Sequence, residues 1–163
     1  MNISNTMAFA INKQIAAEFS SAYLYLSMSS WFEKENWKGC AHWMVKQANE
    51  EIIHAMKFFH YVISRGGVVE LLVLSKPKNT WVSLKDAFSE AYDHEVEVTK
   101  MINRLVTQAK KEDDTATESF LAWYIDEQVE EEESASKIVE KLEKIGDAKN
   151  GLFILDRGLG KRE

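Results

Sequence analysis

The sequence predicts an all-α protein: a four-helix bundle with a long crossover between helices two and three and a short C-terminal fifth helix. Three observations lead there. Apolar residues make up 45% and charged residues 28% of the 163, with one proline and seven glycines, a balance that suits helices better than a β-sandwich or a disordered chain. Apolar positions recur at three- and four-residue intervals in four long segments. The breaks between those segments run short, long, short. A chain of this length fits one domain, taken as residues 1–163, and is long enough to bury a core.

The first helix is expected from Ser4 to Glu33 and the second from Asn36 to Arg65, joined by "KENW"; the third from Val82 to Lys111 and the fourth from Asp114 to Ile145, joined by "KEDD". Short joints make each pair an antiparallel hairpin. Ser83, and Asp113 or Asp114, are N-cap candidates, while Gly66-Gly67 and Gly146 sit where helices should stop. From Gly66 to Trp81 the stretch "GGVVELLVLSKPKNTW" extends for roughly 50 Å at about 3.3 Å per residue, against roughly 45 Å for a thirty-residue helix. It can cross the whole bundle and set helix three parallel to helix two. After Gly146 and Gly151, "LFILDRGL" predicts the fifth helix, too brief to persist undocked.

A formal charge of −6 argues against a nucleic-acid or anionic-membrane surface and raises the local concentration of cations. The single cysteine, Cys40, excludes an internal disulfide and a CxxC knuckle. The N-terminal stretch "MNISNTMAFAINKQ" has no signal-peptide pattern, and no apolar run reaches membrane-span length, so a cytoplasmic protein without nucleic-acid or membrane partners is expected.

Each helix carries a polar residue on its apolar stripe. The first reads Ile11, Ile15, Glu18, Ala22, Tyr25; the second Met44, Ala48, Glu51, Ala55, Phe58, with His54 one turn from Glu51. The third reads Phe88, Ala91, Glu95, Val98, Ile102, and the fourth Leu121, Tyr124, Gln128, Glu131, Ala135, Ile138. Glu18 and Glu51 are equidistant from the first turn, and Glu95 and Gln128 from the second, so all four fall near mid-bundle. Any one of these acids alone reads as a boundary residue, and His54 alone as a core histidine; their coincidence needs another reading.

Buried carboxylates cost several kcal/mol each unless neutralised, and no lysine or arginine shares these central turns. A multivalent cation neutralises them. Glutamate oxygens with one imidazole suit iron or manganese better than zinc or calcium. If Glu51 bridges, Glu18 and His54 complete one metal position while Glu95, Gln128 and Glu131 surround a second.

Taken together, "NKQIAAEFSSAYLYLSM", "GCAHWMVKQANEEIIHAMKFF", "SLKDAFSEAYDHE", "FLAWYIDEQVEEE" and the tail "GLFILDRGLGKR" resemble the bacterial non-haem ferritins over essentially the whole chain. The resemblance implies a hollow shell of twenty-four copies, built from dimers, that oxidises ferrous iron with dioxygen or hydrogen peroxide and stores a ferric mineral. It implies two irons per subunit, the first on Glu18, Glu51 and His54, the second on Glu51, Glu95 and Gln128, with Glu131 nearby. It implies that Tyr25 assists beside that pair, and that Glu50, Glu127, Glu130 and Glu131 form an extra inward-facing iron site. Gln128 and Glu131 stand where bacterioferritin has glutamate and histidine, and Ile52 replaces its haem-binding methionine, so no haem is expected. The apolar "ELLVL" of the crossover is expected to be buried at a subunit contact. The competing functions are a di-iron oxidase or oxygenase acting on an organic substrate, and a helical interaction module without metal.

Overall fold

The computed structural model describes residues 2–162; Met1 and Glu163, the ends of the expected single unit, lie outside the described residues. Its helices are α1 (Asn5–Lys34), α2 (Lys38–Ser64), α3 (Leu84–Lys111), α4 (Thr115–Ile145) and α5 (Lys149–Leu159). The four long ones fall within two residues of the expected bounds.

Local chemistry sets the ends. Ser4 Oγ accepts from the Met7 N–H at 2.9 Å, freeing α1 to start at Asn5. Ser83 Oγ accepts from the Asp86 N–H while Asp86 accepts from the Val82 N–H, both at 3.0 Å, a reciprocal cap that opens α3. Of the two candidates before α4, Asp114 is the cap, accepting from the Thr117 N–H at 3.1 Å. Asp113 instead adopts φ +53° in the turn, as Asn36 does at φ +62° between α1 and α2, two positions where short polar side chains tolerate left-handed backbone. Gly66 and Gly146 supply positive φ just past α2 and α4. Gly151 differs from expectation: it lies inside α5, where an added Cβ would come within 2.8 Å of Ile145 Cγ2, so its small size serves close packing and not a stop.

Contacts at one end of the bundle establish direction. The Ile3 N–H donates to the Arg65 carbonyl, Ser4 Oγ to Glu112, and the Arg65 guanidinium pairs with Asp114 at 3.1 Å. The start of α1, the ends of α2 and α3, and the start of α4 therefore share this end, which makes α2 and α3 parallel. The crossover runs alongside α1, held by Asn12 to the Val68 carbonyl at 3.0 Å and by Ser27 to the Lys78 carbonyl at 2.5 Å, and Trp81 anchors it against Trp31. Its apolar run is open in the single chain: Val68, Leu71 and Val73 are 79%, 69% and 97% exposed.

The apolar core forms two clusters. One packs Met28, Phe32, Met44 and Phe88 near the α1–α2 turn; the other packs Met7, Ile11, Phe58, Ile102 and Leu121 near the opposite end. Each fully buried side chain of this size contributes about 1.5–3 kcal/mol. Between them lies a layer of buried polar residues.

The fifth helix docks on the start of α2, where Asp156 accepts from the Cys40 N–H at 2.8 Å. A Cβ on Gly39 would sit 1.7 Å from the Asp156 carbonyl oxygen. Gly39→Ala is therefore expected to release α5, at a cost of about 2 kcal/mol or a roughly 30-fold larger open fraction. Faster tryptic cleavage at Lys149 and Arg157, with the bundle intact, is the readout.

Candidate metal centre

The polar layer is assembled from the middle turns of all four long helices. Glu18, Glu51 and His54 bring one ligand atom each to within 4.8 Å of one another, all three buried. His54 sits between two carboxylates, with Nδ1 3.6 Å from Glu51 and Nε2 3.7 Å from Glu127. Its ring packs edge-on against Trp123, and its carbonyl accepts from the Tyr124 hydroxyl at 2.8 Å. Opposite, Gln128 Nε2 donates to Glu95 Oε2 at 3.2 Å and lies 3.3 Å from Thr99 Oγ1. The buried Tyr25 hydroxyl donates to the other Glu95 oxygen.

Two residues missed by the sequence reading hold the acids in place. Gln14 donates to Glu18 at 2.8 Å; Gln47 donates to Glu131 at 2.5 Å and faces Glu51 at 3.4 Å. Each is one helical turn before a central glutamate, and that i, i+4 spacing was a usable signal.

Of the residues expected at an extra inward site, Glu127 and Glu131 join His54 in a second group with ligand atoms within 4.8 Å. Glu50 is instead engaged by the Arg162 guanidinium at 2.5 Å. Glu130 is exposed and belongs to neither group.

The layer's electrostatics follow from burial. Glu18 and Glu51 are pushed well above the usual carboxylate range, first by loss of water and then by a neighbouring acid's charge, Glu51 acting on Glu18 and Glu95 on Glu51. Burial likewise pushes Glu95 and Glu131 up to about 7. Among the described residues, the hydrogen-bond partners of these four acids are amides, a phenol and one another, with no lysine or arginine. Such a layer holds protons when empty and attracts cations when the protons leave. Its oxygen-rich donors with a single imidazole fit iron, which prefers this mixture to sulfur-rich or all-oxygen surroundings.

The chain resembles known proteins throughout its length. The ferritin family model, described as a ferritin-like domain, matches residues 9–145. Over 160 residues the chain is 43% identical to a bacterial non-heme ferritin of Bacteroides fragilis (strain 638R), covering 98% of this chain and 99% of that protein. It is 35% identical to a bacterial non-heme ferritin of Staphylococcus aureus (strain USA300), with coverage of 98% and 96%. Among solved structures, an open pore ferritin from the hyperthermophilic archaeon Archaeoglobus fulgidus superposes with a TM-score of 0.99 at 51% identity, covering 99% of this chain and all of the other.

Proposed function

The chain belongs to the ferritin family, and on that premise we propose that it stores iron, oxidising ferrous ions at the central layer and collecting them as ferric oxyhydroxide. One observation carries the reading: Glu18, Glu51 and His54 are buried together beside Glu95 and Gln128, in a layer whose acids, among the described residues, have no lysine or arginine as a hydrogen-bond partner. In this reading Glu51 is shared by two ferrous substrate ions. Glu18 and His54 hold the first, Glu95 and Gln128 the second, and Glu131 lies near it.

Pairing matters because dioxygen is reduced to peroxide by two electrons, one from each ferrous ion, with two protons taken up, and no one-electron radical is released. Hydrogen peroxide as oxidant takes two electrons and two protons to give two waters. Tyr25 acts through Glu95: its hydroxyl bond points one carboxylate oxygen and leaves the other to Gln128 and the ion. Gln128 is neutral and a weaker ligand than carboxylate, which favours release of the oxidised ion toward storage.

Storage needs an enclosure, and a homo-oligomeric shell of twenty-four subunits built from dimers is the proposed assembly. The exposed Val68, Leu71 and Val73 of the crossover support burial against another copy. No helix among the described residues is long and apolar enough to cross a membrane, in keeping with the proposed cytoplasmic location. The test is iron content measured together with particle size after aerobic loading. A large particle holding far more iron than the about two ions per chain of a paired site is expected; saturation near two would assign the layer to an oxidase with a retained cofactor.

A further inference from the structure

The C-terminal tail reaches the metal layer. Past α5, the Arg162 carbonyl accepts from His42 Nε2 at 2.7 Å, and the guanidinium lies 4.7 Å from the Trp43 ring. Its two terminal nitrogens then divide. One donates to Gln47 Oε1 at 2.8 Å, the other to Glu50 Oε2 at 2.5 Å. Because the Gln47 amide nitrogen donates onward to Glu131, the tail is wired to a residue of the central layer in two hydrogen bonds.

We propose that Arg162 is a built-in cation that occupies the place of an additional metal ion beside Glu50, and that it sets the metal capacity of each chain at two. This rests on the functional reading above. A carboxylate oxygen engaged by a guanidinium has its charge already matched, and a divalent ion brought beside that fixed positive charge is repelled. The same fork fixes the Gln47 rotamer: with Oε1 committed to Arg162, only its amide nitrogen is left to face Glu131 and Glu51. Arg162 is thus a positioning residue for the pair and a steric and electrostatic plug for the neighbouring site. The third position becomes available when the tail lifts.

Anaerobic calorimetric titration of the metal-free assembly with cobalt(II) tests this. Wild type is expected to take up about two ions per chain and Arg162→Gln about three, while Arg162→Lys, which keeps the charge, stays near two. A chain truncated after Leu159 removes the guanidinium by another route and should also gain the third ion. Identical stoichiometry and affinity in wild type, Arg162→Gln and the truncated chain overturns the proposal, as does a third ion in Arg162→Lys as tight as in Arg162→Gln. Weaker binding of the first two ions in Arg162→Gln, with no third, overturns it too, since the tail would then be structural only. Failure of wild type itself to bind cobalt would sink the iron-storage reading, a result distinct from all of these.

Discussion

Glutamine in place of Glu51 is expected to abolish paired metal binding while making the metal-free protein more stable. Glu51 is the one residue proposed to serve both ions, so losing its charge weakens both at once; at several kcal/mol per charged ligand this is at least a 100-fold loss of affinity and of initial ferrous oxidation. The stability change has the opposite sign. Glu51 is 2% exposed and surrounded by Glu18, Glu95 and Glu131, so its ionised form is unfavourable without a cation. An isosteric amide removes that repulsion, as neutral replacement of buried charges often stabilises. Anaerobic cobalt titration with thermal unfolding of the metal-free form checks both signs. Unaltered cobalt affinity, or a lower melting temperature without metal, would remove Glu51 from the shared role.

A second large effect is a reversal of the pH dependence of stability on adding metal. Glu95 and Glu131 are raised from 4.5 to about 7 by burial, so between these values the folded chain holds protons the unfolded chain has already released. Their contribution is complete below about 4.5 and is lost as pH rises through about 7. Glu18 and Glu51, held well above the usual carboxylate range by burial, add to the loss in the same direction. The metal-free melting temperature should therefore fall from pH 5.5 to pH 8. Divalent ions replace the protons most easily at the higher pH, where a site filled at about 1,000 times its Kd adds about 4 kcal/mol, on the order of 10 °C for a chain of this size. Scanning calorimetry at pH 5.5, 7 and 8, with and without cobalt, measures it. A metal-free melting temperature that climbs across this range, or a cobalt shift larger at pH 5.5, contradicts the assignment.

What could be read along the chain, and what could not, divides by distance. The stripe of Ile11, Ile15, Glu18, Ala22 and Tyr25 is a local repeat, and so are the caps at Ser83 and Asp114, so sequence spacing suffices to see them. Gln14 and Gln47 were legible by the same rule and were missed because amides were not weighed as partners for the acids one turn on. Gly39 and Arg162 were illegible. One is empty space for the Asp156 carbonyl and the other a cation for Glu50, and each acquires its meaning from a residue more than a hundred positions away. The expectation that the central turns lack lysine and arginine holds for the stripes themselves. It did not anticipate a guanidinium arriving at their edge from the tail.

By itself, then, the sequence determined the helices, the antiparallel hairpins and the polar level in each stripe, since these depend on periodicity, turn length and the few residues nearest each end. The crossover's reach allowed α2 and α3 to be parallel, but only contacts such as Arg65 with Asp114 decided it. Tertiary structure alone also decided which carboxylates face one another, which are raised to about 7, and which is matched by Arg162. Those outcomes depend on distances and solvent exclusion between separate helices, quantities that no local pattern contains.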